Sequence, residues 1–384
     1  MSAASWLVTV VAWCVASADV FVGGHGGYPV YRIPSAIRLE GAPAPGRIVA
    51  MAEARGSMAD VGSNDLVTRT SDDGGTTWSP QRTVLHVDGR SANNPCLVQS
   101  VRGAHPGRLL LMAQSYPERC DERCVVPGFD ADASGDRVCR TLVMHSDDGG
   151  ATWSGPREVT RQVKRADSVT STATGPGIGI QLARGPHAGR ILMPFNEGPF
   201  DRWRVYAAIS DDGGDTWRMG EPAPTPGPGR ANEVQFFERQ DGTVVLNARQ
   251  HHGARRRATA ESRDGGATWS AITDVPELPD PQCMGGVVSL GGGTVVFTGC
   301  DSESRRALGT AWVSRDDGRT WPAKVLVEPG GFAYSVPVAL GPGRVGVLYE
   351  AEGYARIAFK VADLPPAPGG GPPPGPASRA PRQP

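Results

Sequence analysis

Eight residues of this 384-residue chain have side chains suited to chemistry and stand in or beside stretches whose apolar neighbours predict strands. They are Arg32 in VYRIP, Arg55 in MAEAR, Asp60 in SMAD, Glu233 in ANEVQ, Arg249 in LNAR, Arg306 in SRRALG, Tyr334 in FAYS and Glu350 in LYE. Any one of them alone is most often a surface residue or half of a structural ion pair. Together they must converge on one another or on a ligand, because a charge buried without a partner is costly. The available chemistry is specific. A planar guanidinium grips a carboxylate through two parallel hydrogen bonds, carboxyl groups pass protons, and a phenol beside a base becomes a nucleophile.

The elements that position these residues are announced by a repeat. The frame Ser-x-Asp-x-Gly-x-Thr-Trp occurs at Ser71, Ser146, Ser210, Ser262 and Ser314. Five copies of an octapeptide with five fixed positions mean a repeated structural unit. Each copy reads as a hairpin turn: the aspartates (Asp73, Asp148, Asp212, Asp264, Asp316) accept from backbone N–H groups, the glycines supply left-handed backbone angles, and the tryptophans pack over the turn. The intervals repeat a grammar of strand, loop, strand, box, as in GRILMPFN followed by RVYAAIS. The last apolar runs, FAYSVPVAL, RVGVLYEA and ARIAFKVA, have no box after them and read as a closing unit. Five boxed units and one unboxed unit predict an all-β fold, a six-bladed β-propeller whose ring closes by pairing strands from the two chain ends.

Composition narrows the function classes. Thirty-nine Lys and Arg against 40 Asp and Glu give a formal net charge of −1, so no global basic field points to nucleic acid, and a cationic site must be local. No stretch after the N-terminus is apolar and long enough to span a membrane. Residues 1–18 carry an apolar run, Trp6 to Val15, before Ala16-Ser17-Ala18, and read as a secretory signal without the usual leading basic residue, with a mistaken start codon or a short buried strand as the alternative. Its removal leaves six cysteines, an even number compatible with an oxidising compartment. The CDERC segment with Cys139 has no histidine pair at ligand spacing, which favours disulfides in a surface loop over zinc. Residues 19–363 form the predicted propeller, and residues 364–384 a Pro/Gly-rich tail with almost nothing to bury. EPAPTPGPG, at 221–229, reads as a loop bordering the propeller mouth.

At this point the chain resembles the sialidases (exo-α-sialidases, or neuraminidases) of the bacterial and animal type. The resemblance covers Asp19 to Ala362 and rests on Tyr31-Arg32-Ile33-Pro34, the Asp boxes, AEAR followed by an aspartate, the NE…LNAR pairing, AYS and LYE. It implies a clamp of three arginines on a substrate carboxylate. Arg32 and Arg249 match by local motif. For the third, the frame R-x-x-x-T-x-x-x-S counted back from the fifth box falls on Arg306, Thr310 and Ser314, while Arg305 fits the spacing to Leu308. Arg306 is the expected member.

The resemblance further implies that Asp60 is the acid/base, with Asp65 as its local competitor, and that Glu233 and Tyr334 form a nucleophilic pair. Glu350 would brace Arg32. Arg55 and Asn94 would lie near the substrate's 4-hydroxyl, although this chain has Asn-Asn-Pro where relatives often carry an aspartate before the proline. Tyrosine-nucleophile sialidases are the known exception to two-carboxylate glycoside hydrolysis. The implied protein is a secreted, retaining exo-α-sialidase acting on sialylated glycans, glycoproteins or glycolipids such as gangliosides, without cofactor or metal. Non-catalytic glycan binding by the same propeller and trans-sialidase activity are the competing readings.

Overall fold

The computed structural model describes residues 14–366 other than 132, 134, 167 and 228, with side chains from residue 17 onward. Most of the expected leader and nearly all of the expected tail therefore lie outside the described residues. The fold is all-β: a four-residue helix, Thr160–Val163, and two 3-10 turns are the helical elements among the described residues.

Four antiparallel strands, Val30–Arg38, Ile48–Arg55, Asp65–Ser71 and Arg82–Leu85, form the first sheet. The second is built on Arg90–Gln99, Leu109–Pro117, Arg140–Ser146 and Arg157–Glu158, with the short strand Gly177–Ile178 added in parallel. The third orders Thr172–Thr174, Ile191–Glu197, Arg204–Ser210 and Arg218–Met219, with Ile180–Gln181 also on Ile191–Glu197. The fourth comprises Val234–Glu238, Val244–Ala248, Arg256–Ser262 and Thr273–Pro279.

The remainder is one seven-stranded sheet that reads as two units sharing a strand. The N-terminal half of Ala323–Ala339 pairs with Ala307–Ser314, which continues to Thr294–Cys300 and Gly286–Gly291. Its C-terminal half pairs with Arg344–Ala351, then Arg356–Asp363, then Cys14–Val22. The first described strand is thus hydrogen-bonded to the last, as expected for strands from the two ends. Second strands such as Ile48–Arg55 are buried at every position, because both faces are covered by neighbouring sheets. That is why IVAMAEAR reads as a nearly continuous run of apolar and small residues rather than a clean alternation.

Each Asp box is the turn that ends the third strand of its sheet. In the first, Ser71 Oγ donates to Asp73 Oδ1 at 2.8 Å and accepts from Gly75 N at 2.8 Å, and Thr77 N donates to Asp73 Oδ1 at 2.9 Å. The second, third, fourth and fifth boxes repeat these bonds on Asp148, Asp212, Asp264 and Asp316. The box glycines do more than turn the chain. Gly75 (φ +92) sits against Phe359 of the final sheet, Gly150 against Val49 of the first, Gly214 against Leu110 of the second, Gly266 against Leu192 of the third and Gly318 against Phe237 of the fourth. Each box therefore presses its turn onto the sheet before it, and the first box onto the last sheet. Side-chain donors reinforce the seams: Arg82 reaches Gly150 O at 3.0 Å and Arg157 reaches Gly214 O at 3.0 Å.

Cys120 and Cys124 are joined in a disulfide within the long second-sheet loop, while Cys96, Cys139, Cys283 and Cys300 are free and buried. Cys139 donates to Thr172 O at 3.3 Å instead of joining that loop's disulfide.

The fastening role predicts a contrast between adjacent glycines. A Cβ on Gly75 would lie 2.1 Å from the Phe359 ring, whereas one on Gly74 (φ +75) meets nothing within 4 Å. Gly74→Ala should cost only the left-handed backbone penalty of about 1–2 kcal/mol, and Gly75→Ala about 1–3 kcal/mol more for the clash. Urea unfolding of the pair measures this, and equal losses would contradict the seam.

The boxes also predict an acid dependence. Partial burial works against the Asp148 carboxylate, yet hydrogen bonds from Thr152 and Ser146 bring its pKa down from 3.8 to about 2. A depressed folded-state pKa gives stability that is present above the unfolded value and lost as pH falls through the folded one. The stability gap between the native chain and Asp148→Asn should hold from neutral pH to about 4 and narrow from there toward about 2. A gap independent of pH in urea titrations would overturn it.

Candidate active site

The candidate side chains come from within the first strands (Arg32, Asn94, Tyr334) and from strand ends or the residues beside them (Arg55, Glu233, Arg249, Arg306). Three of these strands are bulged at the same level. Pairing jumps from Arg32↔Glu53 to Ser35↔Met51, from Asn93↔Gln114 to Cys96↔Met112, and from Phe332↔Ala351 to Ser335↔Tyr349. Two of the bulges stand at X-Pro steps, where Pro34 and Pro95 have no N–H to give to a ladder, and the preceding residues adopt left-handed angles (Ile33 φ 56, Asn94 φ 53). A bulge re-aims the side chains beside it, and Arg32, Asn94 and Tyr334 all face one cavity of about 310 Å³. Glu233 and Arg249 flank the hairpin of the fourth sheet, tied by Arg249 N donating to Glu233 O at 2.7 Å. Arg306 precedes the strand Ala307–Ser314, beside another irregular step at Leu308 (φ 57).

At the centre the Tyr334 hydroxyl donates to Glu233 Oε1 in a short hydrogen bond. Arg249 Nη1 bridges the pair, donating to Glu233 Oε2 at 2.6 Å and to the Tyr334 oxygen at 2.8 Å. Arg249 Nε is buried without a partner among the described residues. Arg32 and Arg306 approach the tyrosine ring, their guanidinium carbons 5.5 and 5.4 Å from its centroid. Burial, then Glu233, pushes the Tyr334 pKa well above that of an ordinary phenol, and Arg249, Arg306 and Arg32 pull against that rise. Burial opposes the charge of Arg249 too, but Glu233 and the phenol hold its pKa well above the usual arginine value.

Around this centre the partners are fixed. Glu350, buried, accepts Arg32 Nε at 2.6 Å, Ile33 N at 2.9 Å and Tyr334 N at 3.3 Å. Arg306 donates to Tyr354 Oη at 2.9 Å and to Gln282 O at 2.8 Å, whereas Arg305 is exposed and outside the cavity lining. Glu53, fully buried, holds Arg55 Nε at 2.7 Å and accepts Asn94 N at 2.6 Å. Asp60 stands on the rim with its side chain 70% exposed, Oδ1 accepting Arg55 Nη1 at 2.9 Å. Asp65 is elsewhere: it takes the Tyr28 hydroxyl at 2.5 Å and His86 Nδ1 at 2.7 Å, outside the cavity.

The opposite wall holds residues that sequence reasoning did not single out. Glu122, from the loop stapled by Cys120–Cys124, accepts Trp203 Nε1 at 2.8 Å, and burial raises its pKa to about 7. Trp203 packs edge-on against His251 with ring centroids 4.6 Å apart. Asn196, Phe200 and Asn232 complete this side. The unusual CDERC loop was the one available signal for Glu122; Trp203 and His251 stand in no motif. A larger hollow of about 530 Å³ lies at the other ends of the same strands, lined by Ile178, Phe236, Val287 and Pro337 among others, but it carries no tyrosine or histidine. The chemistry belongs to the smaller cavity: an anion-holding group of arginines, a phenol shared with a carboxylate, and a solvent-facing acid.

Comparison with known proteins agrees with this geometry. The profile of the BNR repeat-like domain matches residues 46–347. A sialidase of Micromonospora viridifaciens is 34% identical over 368 residues, covering 90% of this chain and 54% of that protein. Sialidase-3 of Mus musculus is 31% identical over 283 residues, covering 68% of this chain and 62% of its own length. The chain thus spans about half the length of the curated relatives it matches. Among solved structures, a Hadza microbial sialidase superposes with a TM-score of 0.78 at 25% identity, covering 91% of this chain and 68% of that one. The chain belongs to the BNR repeat-like domain family, as a homologue of these sialidases.

Proposed function

We propose that this protein is a retaining exo-α-sialidase on a closed six-bladed β-propeller, removing terminal sialic acids from glycans, glycoproteins or glycolipids. The observation that carries the reading is the buried Tyr334–Glu233–Arg249 constellation facing a cavity that Arg32 and Arg306 also line. Closure is supported by the first-to-last strand pairing and by five boxes that each abut the preceding sheet.

The chemistry follows from charge. A sialoside carries a carboxylate on its anomeric carbon, which Arg32, Arg249 and Arg306 hold together as an anion site. A carboxylate nucleophile would approach this substrate against like charge; a phenol does not. Glu233 accepts the Tyr334 proton as the phenol oxygen attacks the anomeric carbon, and the arginines stabilise phenolate character. Asp60 gives its proton to the departing aglycon oxygen, and the glycosyl–tyrosine bond forms as the glycosidic bond breaks. Asp60, now a carboxylate, takes a proton from water as that water displaces the tyrosine. Glu233 returns the first proton to the phenol, and two displacements retain the configuration. Glu350 and Glu53 position Arg32 and Arg55, and Arg55 and Asn94 face the ring hydroxyls. Secretion is proposed from the leader at 1–18 and fits the Cys120–Cys124 disulfide; cleavage after Ala18 would leave Asp19–Val22 paired with the last strand.

With a fluorogenic α-sialoside, the purified chain should release sialic acid whose first-formed anomer by NMR is α. Tyr334→Phe should lower kcat by about a thousandfold or more while still binding the product. Binding without release by the native chain would make it a glycan-binding propeller, and a first-formed β anomer would exclude the tyrosine route.

The Glu122 carboxyl adds a pH effect. It is neutral below about 7 and becomes an anion above, on the wall of a cavity built for an anion. KM should rise as pH increases through about 7, and Glu122→Gln should flatten that rise. An unchanged KM profile in the variant would exclude Glu122 as its source.

A further inference from the structure

At the cavity rim two loops bring together three ligating side chains that lie 50 residues apart in sequence. Asp201 follows the strand Ile191–Glu197, and His251 and His252 follow Val244–Ala248. His252 Nε2 is 2.7 Å from Asp201 Oδ1 and His251 Nε2 is 3.3 Å from the same oxygen. One ligating atom from each of the three falls within 4.8 Å of the others. We propose that Asp201, His251 and His252 form a binding site for a divalent transition-metal ion of the zinc type on the rim of the active-site cavity. This departs from the sequence expectation of a metal-free protein. It stands independently of the glycosidase reading.

The donor set suits that ion class. Two imidazoles and one carboxylate are ligands for zinc, nickel or copper, whereas calcium and magnesium call for oxygen throughout. A tetrahedral ion bound at about 2.0 Å needs its ligand atoms about 3.3 Å apart. The His251–Asp201 separation already has that value. The His252–Asp201 contact must open by a fraction of an ångström, and the two side chains that would move are exposed and half-exposed.

The less mobile member is built in. The His251 ring is held edge-on by Trp203, itself buried and bonded to Glu122, and its Nδ1 is buried without a partner among the described residues. Nε2 is therefore the ring atom through which His251 meets other groups. His252 N donates to Gly229 O at 3.2 Å, which anchors the second histidine to the Pro/Gly-rich loop. The charge of Arg249 reaches His251, and its pairing with Glu233 at 2.6 Å offsets part of its repulsion of an incoming ion. Protein supplies three ligands and leaves the fourth position to water. Because His251 also lines the cavity, an ion bound there sits at its rim.

The test uses the full, tag-free chain. Zn²⁺ titrated by calorimetry should bind at one equivalent, and Co²⁺ as a spectroscopic stand-in should give the intense visible bands of a low-coordinate ion. His252→Ala and Asp201→Asn should each weaken Zn²⁺ binding at least tenfold and abolish those bands, with thermal unfolding of the metal-free variants unchanged. His252→Asn serves if the alanine variant does not fold. Absence of Zn²⁺ binding by the native chain, or binding indifferent to both substitutions, overturns the site.

Discussion

The structure turns on how three arginines are kept charged in the middle of an apolar assembly of sheets. Burying a guanidinium without a partner is prohibitive, and each here is matched differently. Arg32 leans on Glu350 through Nε, Arg306 on a backbone carbonyl and the Tyr354 phenol, and Arg249 on Glu233 and Tyr334. Arg32 has Glu350 to itself and Arg249 shares Glu233 with the phenol, but Arg306 meets no carboxylate among its hydrogen bonds. The net positive character left over faces the cavity. The same arrangement that makes the residues affordable in the interior makes the cavity an anion site.

Two kinds of local departure from regular strand geometry divide the work of the fold. On the outer turns, the Asp boxes press a glycine onto the preceding sheet and seal it with hydrogen bonds that leave no side-chain donor of the box serine and threonine idle. On the first strands, bulges at Ile33-Pro34, Asn94-Pro95 and Ala333-Tyr334 break the ladder at one level and turn polar side chains inward. A regular strand would have sent alternate residues into the packed faces between sheets. The outer departures fix where each sheet lies, and the inner ones fix where each functional group points. Neither needs a helix, and the described chain has almost none.

Much of this was legible in the sequence because its carriers are local. The box is a self-contained turn, so its five copies mark five sheet units and their third strands before any contact is known. The prolines of YRIP and NNP mark bulges too, since proline cannot donate to a ladder, but the sequence analysis did not draw that conclusion. Counting back from Ser314 in the frame that the sialidase resemblance supplies favours Arg306 over Arg305, and of the two it is Arg306 that lines the cavity while Arg305 is exposed. The rest depends on contacts between distant loops. Glu122, Trp203 and His251 come from three different intervals, and nothing in the local pattern of any one of them says that the others will be there. The free, buried Cys139 illustrates the same limit: its neighbours in sequence suggested a disulfide loop, but its partner in space is the Thr172 carbonyl.

Three of the buried carboxylates, Glu350, Glu53 and Glu233, look alike in sequence and differ in one respect that bears on their chemistry. Glu350 accepts a guanidinium and two backbone N–H groups, and Glu53 accepts a guanidinium and one. All those donors are permanently protonated, so none of them exchanges a proton with the carboxylate it holds. Glu233 alone shares its two oxygens between a guanidinium and a phenol. The guanidinium cannot release a proton, and the phenol is the one donor of the set that can. Burial, then Glu233, raises the Tyr334 pKa and keeps that proton on the phenol at rest, while Arg249, Arg306 and Arg32 oppose the rise, a balance on which the proposed reaction would draw. A structural carboxylate and a proton acceptor are thus told apart not by residue type or burial but by whether one of the hydrogens pointing at it can leave.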